Sequence, residues 1–287
     1  MFNGCITALV TPFKKQQLDL KKLKELIGFQ IDSGVNGLVL CGTTGESPTL
    51  TDDEKSVIYR TAARYFRKKI TLIAGTGTND TAKSIKLTKM AQSIGMDGAL
   101  IVTPYYNKPS QNGLYLHFKA IAAETRLPII LYNVPGRTGV SISPETVARL
   151  AAVNNIVAIK EASGSLEQIG QIKSICDITI LSGDDYLTFP ILCLGGKGVI
   201  SVTSNILPKD IISMIDAFNR GNLSLAKQCH YKLGPINKAL FIESNPIPVK
   251  AAMKMLGRIN GEMRLPLTEM SGGNQSKLKD VLRKYKF

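Results

Sequence analysis

ALIVT at residues 99–103, PIILY at 128–132 and IVAIK at 156–160 are short runs in which almost every position is apolar. A strand wetted on one face alternates apolar and polar residues. A strand covered on both faces stays apolar at consecutive positions, as in parallel sheets buried under helices. The same signature recurs outward from this stretch, as CITALV at 5–10, GLVLC at 37–41, ITLIA at 70–74, ITIL at 178–181 and GVISV at 198–202. The eight starts lie 20 to 33 residues apart, room for one strand and one crossover helix per unit. The intervening segments read as helices. Thr51 can cap a helix over 52–66 whose first turn carries Asp52, Asp53 and Glu54. Residues 80–94 and 143–152 behave alike, with Asn79 and Ser143 as caps and Pro144 in the first turn. Eight such units, with no Gly-x-Gly-x-x-Gly after the first strand, favour an α/β chain closed as a (β/α)8 TIM barrel over an open dinucleotide-binding sheet. Beyond about residue 220 the strand signal stops, and 223–242, 247–256 and 274–286 read as helices. The expected organisation is a catalytic barrel over 1–220 and a C-terminal helical extension over 221–287, packed on the barrel without a flexible linker.

Composition narrows the function. A chain of 287 residues, 44% of them hydrophobic, can bury about three quarters of its extended surface and needs no staple. No apolar run approaches about 18 residues, and Met1-Phe2-Asn3-Gly4-Cys5 is not a basic leader. A cytoplasmic protein without a membrane span is expected. Lys plus Arg number 36 against 22 Asp plus Glu, a net charge of +14. These cations fall in scattered pairs and triplets such as Arg67-Lys68-Lys69, without interleaved aromatics, so no nucleic-acid partner is expected. Five cysteines and two histidines, with no Cys-x-x-Cys, give no metal-ligand pattern. A Ser-His-Asp hydrolase lacks its Gly-x-Ser-x-Gly elbow.

In such a barrel the chemistry sits where strands end and βα loops begin. The second run ends in Gly42-Thr43-Thr44-Gly45-Glu46, where two hydroxyls and glycine-freed N–H groups can hold a carboxylate or oxyanion. An ordinary tight turn would look the same. The fourth run ends in Thr103-Pro104-Tyr105-Tyr106 and the fifth in Tyr132-Asn133-Val134-Pro135-Gly136-Arg137. Sharper is Lys160, which follows four apolar residues. Desolvation inside the barrel would lower its pKa and expose a free amine able to add to a ketone as a Schiff base. A lysine snorkelling from a strand end is the plainer reading of Lys160 alone. Beside a carboxylate pocket, tyrosines and an arginine, the Schiff base is favoured. A phosphate site at Gly195-Gly196-Lys197-Gly198 is rejected, because that loop precedes the eighth strand and lies on the opposite rim.

With these residues in view, the chain resembles the pyruvate-dependent class I aldolase family, most closely its dihydrodipicolinate synthase branch. The likeness runs through GTTGESPTL at 42–50, AGTGTN at 74–79, TPYYNKPSQNGLYLHFKAIA at 103–122, YNVPGRTG at 132–139, IKEASG at 159–164, LSGDD at 181–185, GVISVTSN at 198–205 and NPIPVK at 245–250. The resemblance implies condensation of pyruvate with L-aspartate 4-semialdehyde in lysine and diaminopimelate biosynthesis, with no metal and no organic cofactor. It assigns the imine to Lys160 and the pyruvate carboxylate to Thr44 and the backbone around Ile200. It also implies that Tyr132, linked through Thr43 to Tyr106, is a proton relay and that Arg137 grips the second substrate's carboxylate. The resemblance further implies that Tyr106 comes from the neighbouring subunit of a homotetramer built as a dimer of dimers. The alternative within the family is an N-acetylneuraminate lyase or 2-keto-3-deoxy sugar acid aldolase, against which Arg137 and Tyr105-Tyr106 argue. A catalytically silent anionic-partner scaffold is disfavoured by intact Thr43, Tyr132 and Lys160.

In lysine-regulated members the effector meets a serine, a histidine, an asparagine, a glutamate and a tyrosine. Ser47, Asn79 and Tyr105 match, whereas Lys55 stands at the histidine position and Lys83 at the glutamate position. The resemblance therefore implies weak or absent inhibition by lysine.

Overall fold

The computed structural model describes residues 2–287; Met1, with which the leader reading begins, lies outside them. Strand β1 (Gly4–Ala8) is followed by a two-residue hairpin, β2 (Phe13–Lys14) and β3 (Gln17–Leu18), and then helix α1 (Leu20–Asp32). The barrel continues as β4 (Gly37–Leu40), α2 (Asp52–Phe66), β5 (Thr71–Gly75), α3 (Thr81–Ile94), β6 (Gly98–Val102) and α4 (Gln111–Ala123). Next come β7 (Ile129–Asn133), the short α5 (Pro135–Thr138), α6 (Pro144–Ala151), β8 (Ile156–Glu161) and α7 (Leu166–Ile175). It closes with β9 (Thr179–Ser182), α8 (Thr188–Cys193), β10 (Gly198–Ser201) and α9 (Pro208–Asn219), after which α10 (Leu223–Ala239), α11 (Ile247–Met255) and α12 (Gly272–Leu282) follow. All neighbouring barrel strands pair in parallel, and β1 bonds both β4 and β10, which closes the ring. This is a (β/α)8 barrel with C-terminal helices, as the apolar runs predict.

Period-two alternation separates two cores. Ile6, Ala8, Val39, Ile73, Leu100, Ile130, Ala158, Leu181 and Ile200 pack on one another inside the ring. The alternate residues, such as Leu38, Leu72, Ile101, Leu131 and Ile159, pack outward against the helices. A side chain two residues beyond an interior one is therefore interior as well. That parity places Tyr132 and Lys160 inside, after Ile130 and Ala158.

Local chemistry sets the ends. Thr51 and Glu54 form a reciprocal capping box at the start of α2, and Ser143 caps α6 with Pro144 in its first turn. The cap of α3 is Asp80, not Asn79: its carboxylate accepts from Lys83 N at 3.1 Å, where an acidic group also suits the helix dipole. The hairpin at 13–18 was not signalled. Its turn uses Lys15 (φ +52°) and Gln16 (φ +62°), without the Gly or Asn such geometry favours. Both turn N–H groups donate to the Glu262 carboxylate from the C-terminal segment, a tertiary contact that substitutes for local preference. Among the described residues, no helix is long and apolar enough to cross a membrane.

Candidate active site

The loop after β4 turns on Cys41 (φ +54°) and Glu46 (φ +57°), two left-handed non-glycine residues that cost free energy unless held in place. Part of the restraint is polar. The Glu46 carboxylate, with no exposure, accepts from the equally buried Lys250 Nζ and from the main-chain N–H of Arg264. Lys250 also donates to the Thr11 carbonyl at 3.0 Å and lies 4.6 Å from the Phe13 ring centroid. Burial pulls its ammonium below the usual lysine range, and the attraction of Glu46 opposes this. The turn's own hydrogen bonds use the N–H groups of Gly45, Glu46 and Ser47. Fewer backbone donors are thus free than the glycines suggest. Among the described residues, the N–H groups of Thr43 and Thr44 donate to no protein oxygen.

A cavity of about 350 Å³ borders this loop, lined by Thr43, Lys55, Tyr105, Tyr132, Val134 and Arg137 among others. Lys160 is not among its lining residues and adjoins it through Tyr132. In the β7–β8 ladder Lys160 pairs with Tyr132, and its Nζ lies 4.1 Å from the Tyr132 ring centroid. Only 5% of Lys160 is exposed, and among the described residues its amine has no hydrogen-bond or ion-pair partner. Gly183 at the end of β9 keeps that space open: a Cβ there would meet Ala162 Cβ at 2.6 Å and Lys160 Cε at 3.1 Å. The adjacent carboxylate, Glu161, points the other way by strand parity. It accepts from Asn133 Nδ2, Ser163 N and Gln168 Nε2, outside the barrel interior.

Thr44 is buried next to Thr43, and its Oγ1 accepts a 3.0 Å hydrogen bond from Asn245 Nδ2. Arg137, in α5, is exposed, and its Nη2 donates to the Asn245 carbonyl at 3.0 Å. Ile200 is 1% exposed within the interior core. The following turn is pinned by Asp185, which accepts from Ser201 Oγ and the N–H groups of Val202 and Thr203. Tyr106 stands apart from all of these. It is 90% exposed, in a left-handed conformation (φ +73°), on a loop tied by Asn107 Nδ2 to the Asn79 carbonyl. Cys41, also on the cavity wall, has its thiol pushed up to about 12 by burial, so it stays protonated at neutral pH and is a poor nucleophile. The residues not assigned from sequence are Asn245, Lys250 and the carboxylate of Glu46, which the NPIPVK and GTTGE motifs carry.

The sequence model of the Dihydrodipicolinate synthetase family matches residues 1–285. The chain belongs to that family. A 4-hydroxy-tetrahydrodipicolinate synthase of Geobacter sp. (strain M21) is 53% identical over 288 residues, covering 100% of this chain and 99% of that one. The crystal structure of dihydrodipicolinate synthase from Aquifex aeolicus superposes with a TM-score of 0.98 at 48% identity, covering 99% of this chain and 98% of that one. The enzyme from Cyanidioschyzon merolae, solved with lysine bound, superposes with a TM-score of 0.96 at 42% identity, covering 99% of this chain and 98% of that one. The chain is thus a lyase of the dihydrodipicolinate synthetase family, which places it in lysine and diaminopimelate biosynthesis.

Proposed function

We propose that the protein condenses pyruvate with L-aspartate 4-semialdehyde to 4-hydroxy-tetrahydrodipicolinate through an imine on Lys160. The observation that carries this is the buried, unpartnered Lys160 amine facing Tyr132 beside a cavity lined by Thr43 and Arg137. The neutral amine adds to the pyruvate ketone, and loss of water gives a protonated imine. That cation is an electron sink, so a proton leaves the methyl carbon and an enamine forms. The enamine carbon attacks the aldehyde and the new alkoxide takes a proton; the amino group of the semialdehyde then adds to the imine carbon, closing the ring and expelling the Lys160 amine, which frees the product. Thr43 and Tyr132, two of the hydroxyl residues lining the cavity, serve these transfers, with Tyr106 as the third member of the relay. Thr44 holds the pyruvate carboxylate, assisted by the backbone near Ile200, and Arg137 takes that of the semialdehyde. Neither a metal nor an organic cofactor is invoked. Steady-state assay with both substrates tests the reading against the sugar-acid alternative. Turnover with aspartate semialdehyde and none with N-acetylneuraminate or keto-deoxy sugar acids is expected, and the reverse pattern would sink it.

The site is completed by a second subunit, within a homotetramer arranged as a dimer of dimers. Tyr106 supports this: a large aromatic side chain held almost fully in water by a left-handed backbone suits an exchanged interface residue. Tyr106→Phe and Lys160→Ala variants, each nearly inactive, should recover activity when mixed. A hybrid dimer holds one site with both groups intact, so up to half of its sites revive. No recovery despite demonstrated subunit exchange would contradict the shared site.

L-lysine inhibits this enzyme weakly or not at all. Lys55 and Lys83 line the same cavity as Ser47, Asn79 and Tyr105. Lys55 is 5% exposed, and burial, aided by repulsion from Lys83, lowers its pKa. A ligand ammonium entering here meets like charge, and even about 3 kcal/mol of repulsion weakens binding more than a hundredfold. Rates measured across a lysine titration decide it. Little change is expected up to millimolar lysine, and clear inhibition below about 1 mM would contradict the inference.

A further inference from the structure

We propose that Asn245 is a positioning residue for carboxylate recognition: its side-chain N–H fixes the Thr44 hydroxyl as a donor, and its main-chain carbonyl fixes the Arg137 guanidinium. This rests on the reading of Thr44 and Arg137 as the groups that meet the two substrate carboxylates. Asn245 arrives from the C-terminal segment immediately before α11 and is 6% exposed. Its Nδ2 donates to Thr44 Oγ1 at 3.0 Å. A hydroxyl that accepts one hydrogen bond on a lone pair keeps its own proton for another partner. Thr44 donates that proton to no protein atom among the described residues, so the protein leaves it unclaimed. The Asn245 carbonyl accepts from Arg137 Nη2 at 3.0 Å, leaving the rest of the guanidinium fork for a second carboxylate.

Packing does not account for this residue. Its Oδ1 is buried with no hydrogen-bond partner, a state that costs free energy and that a leucine of similar size would avoid. What an amide supplies here and a leucine does not is the N–H into Thr44. A carboxylate would supply the opposite. It has only lone pairs, so it would take the Thr44 proton for itself and turn the hydroxyl's lone pairs toward the incoming keto acid.

The test is steady-state kinetics on Asn245→Asp, Asn245→Leu, Thr44→Val and the Asn245→Asp/Thr44→Val double variant. Asn245→Asp should raise the pyruvate KM about tenfold or more, with kcat at saturating pyruvate changed less. The ratio of variant to wild-type KM should fall as pH is lowered, because the protonated carboxyl regains an O–H to donate to Thr44. Asn245→Leu should raise the pyruvate KM by less and without pH dependence. It should leave the semialdehyde KM unchanged, since the main-chain bond to Arg137 remains; general loosening of the site would move both. The double variant should be little worse than Thr44→Val alone. A pyruvate KM within twofold of wild type in Asn245→Asp, a pH-independent ratio, or full multiplication in the double variant would overturn the proposal. If Asn245→Asp does not fold, Asn245→Leu decides: its KM increase must vanish on the Thr44→Val background. A Thr44→Val enzyme with normal pyruvate KM that still forms the imine would overturn the positioning role while leaving the Lys160 reading intact.

Discussion

Lys160→Ala is expected to lower turnover by at least about a thousandfold, more than about 4 kcal/mol of barrier, while leaving the fold intact. The large loss follows from the chemistry. Among the described residues no other lysine or arginine lies over the Tyr132 ring, and without the imine the methyl protons of pyruvate stay too weakly acidic to leave. The intact fold follows from the absence of protein partners: Lys160 makes no hydrogen bond or ion pair among the described residues. Truncation thus orphans nothing and removes a buried amine. Activity assays with thermal unfolding of the same preparation check both halves. Turnover within tenfold of wild type would contradict the assignment, and so would a collapse of stability.

Lys250→Met has the opposite signature. Lys250 and Glu46 are both fully buried, so removing the ammonium leaves a buried carboxylate without its ion-pair partner. Breaking one side of such a pair costs about 3–5 kcal/mol, against the near neutrality of replacing both sides. For a chain of this size that corresponds to a fall of roughly 5–8 °C in Tm. The pyruvate KM should rise too, because Glu46 ends the turn that carries Thr43 and Thr44. Lys250→Met combined with Glu46→Gln should recover most of the stability, since no charge is then stranded. Thermal and denaturant unfolding of the single and double variants measure it. A single-variant loss under about 1 kcal/mol would mean that the pair is not what holds the loop.

These two buried lysines also mark how far the sequence could be read. Lys160 was legible because its environment is local: an apolar strand, period-two parity and the C-terminal end of a barrel strand are all written within a few residues of it. Tyr132, Thr43 and Arg137 were legible only as residues at or just after the ends of barrel strands, their roles coming from the family resemblance; all three line the cavity. Lys250 and Asn245 were not, because their partners lie 204 and 201 residues away, and a helical pattern after residue 240 does not say which strand end it will meet. The hairpin at 13–18 was missed for a related reason, its turn being held by Glu262 instead of by turn residues. The choice between Asn79 and Asp80 as cap turned on a single residue, since both side chains can accept from the first turn. Tyr106 is a different case. One subunit leaves it in water, and only the family resemblance gives it a role.

Borohydride reduction in the presence of isotopically labelled pyruvate, followed by peptide mapping, tests the central claim most directly. One label per chain on the peptide containing Lys160, lost in Lys160→Ala, is the expected result. Absence of any covalent label, or stable labelling at another lysine, would contradict an imine mechanism at this site.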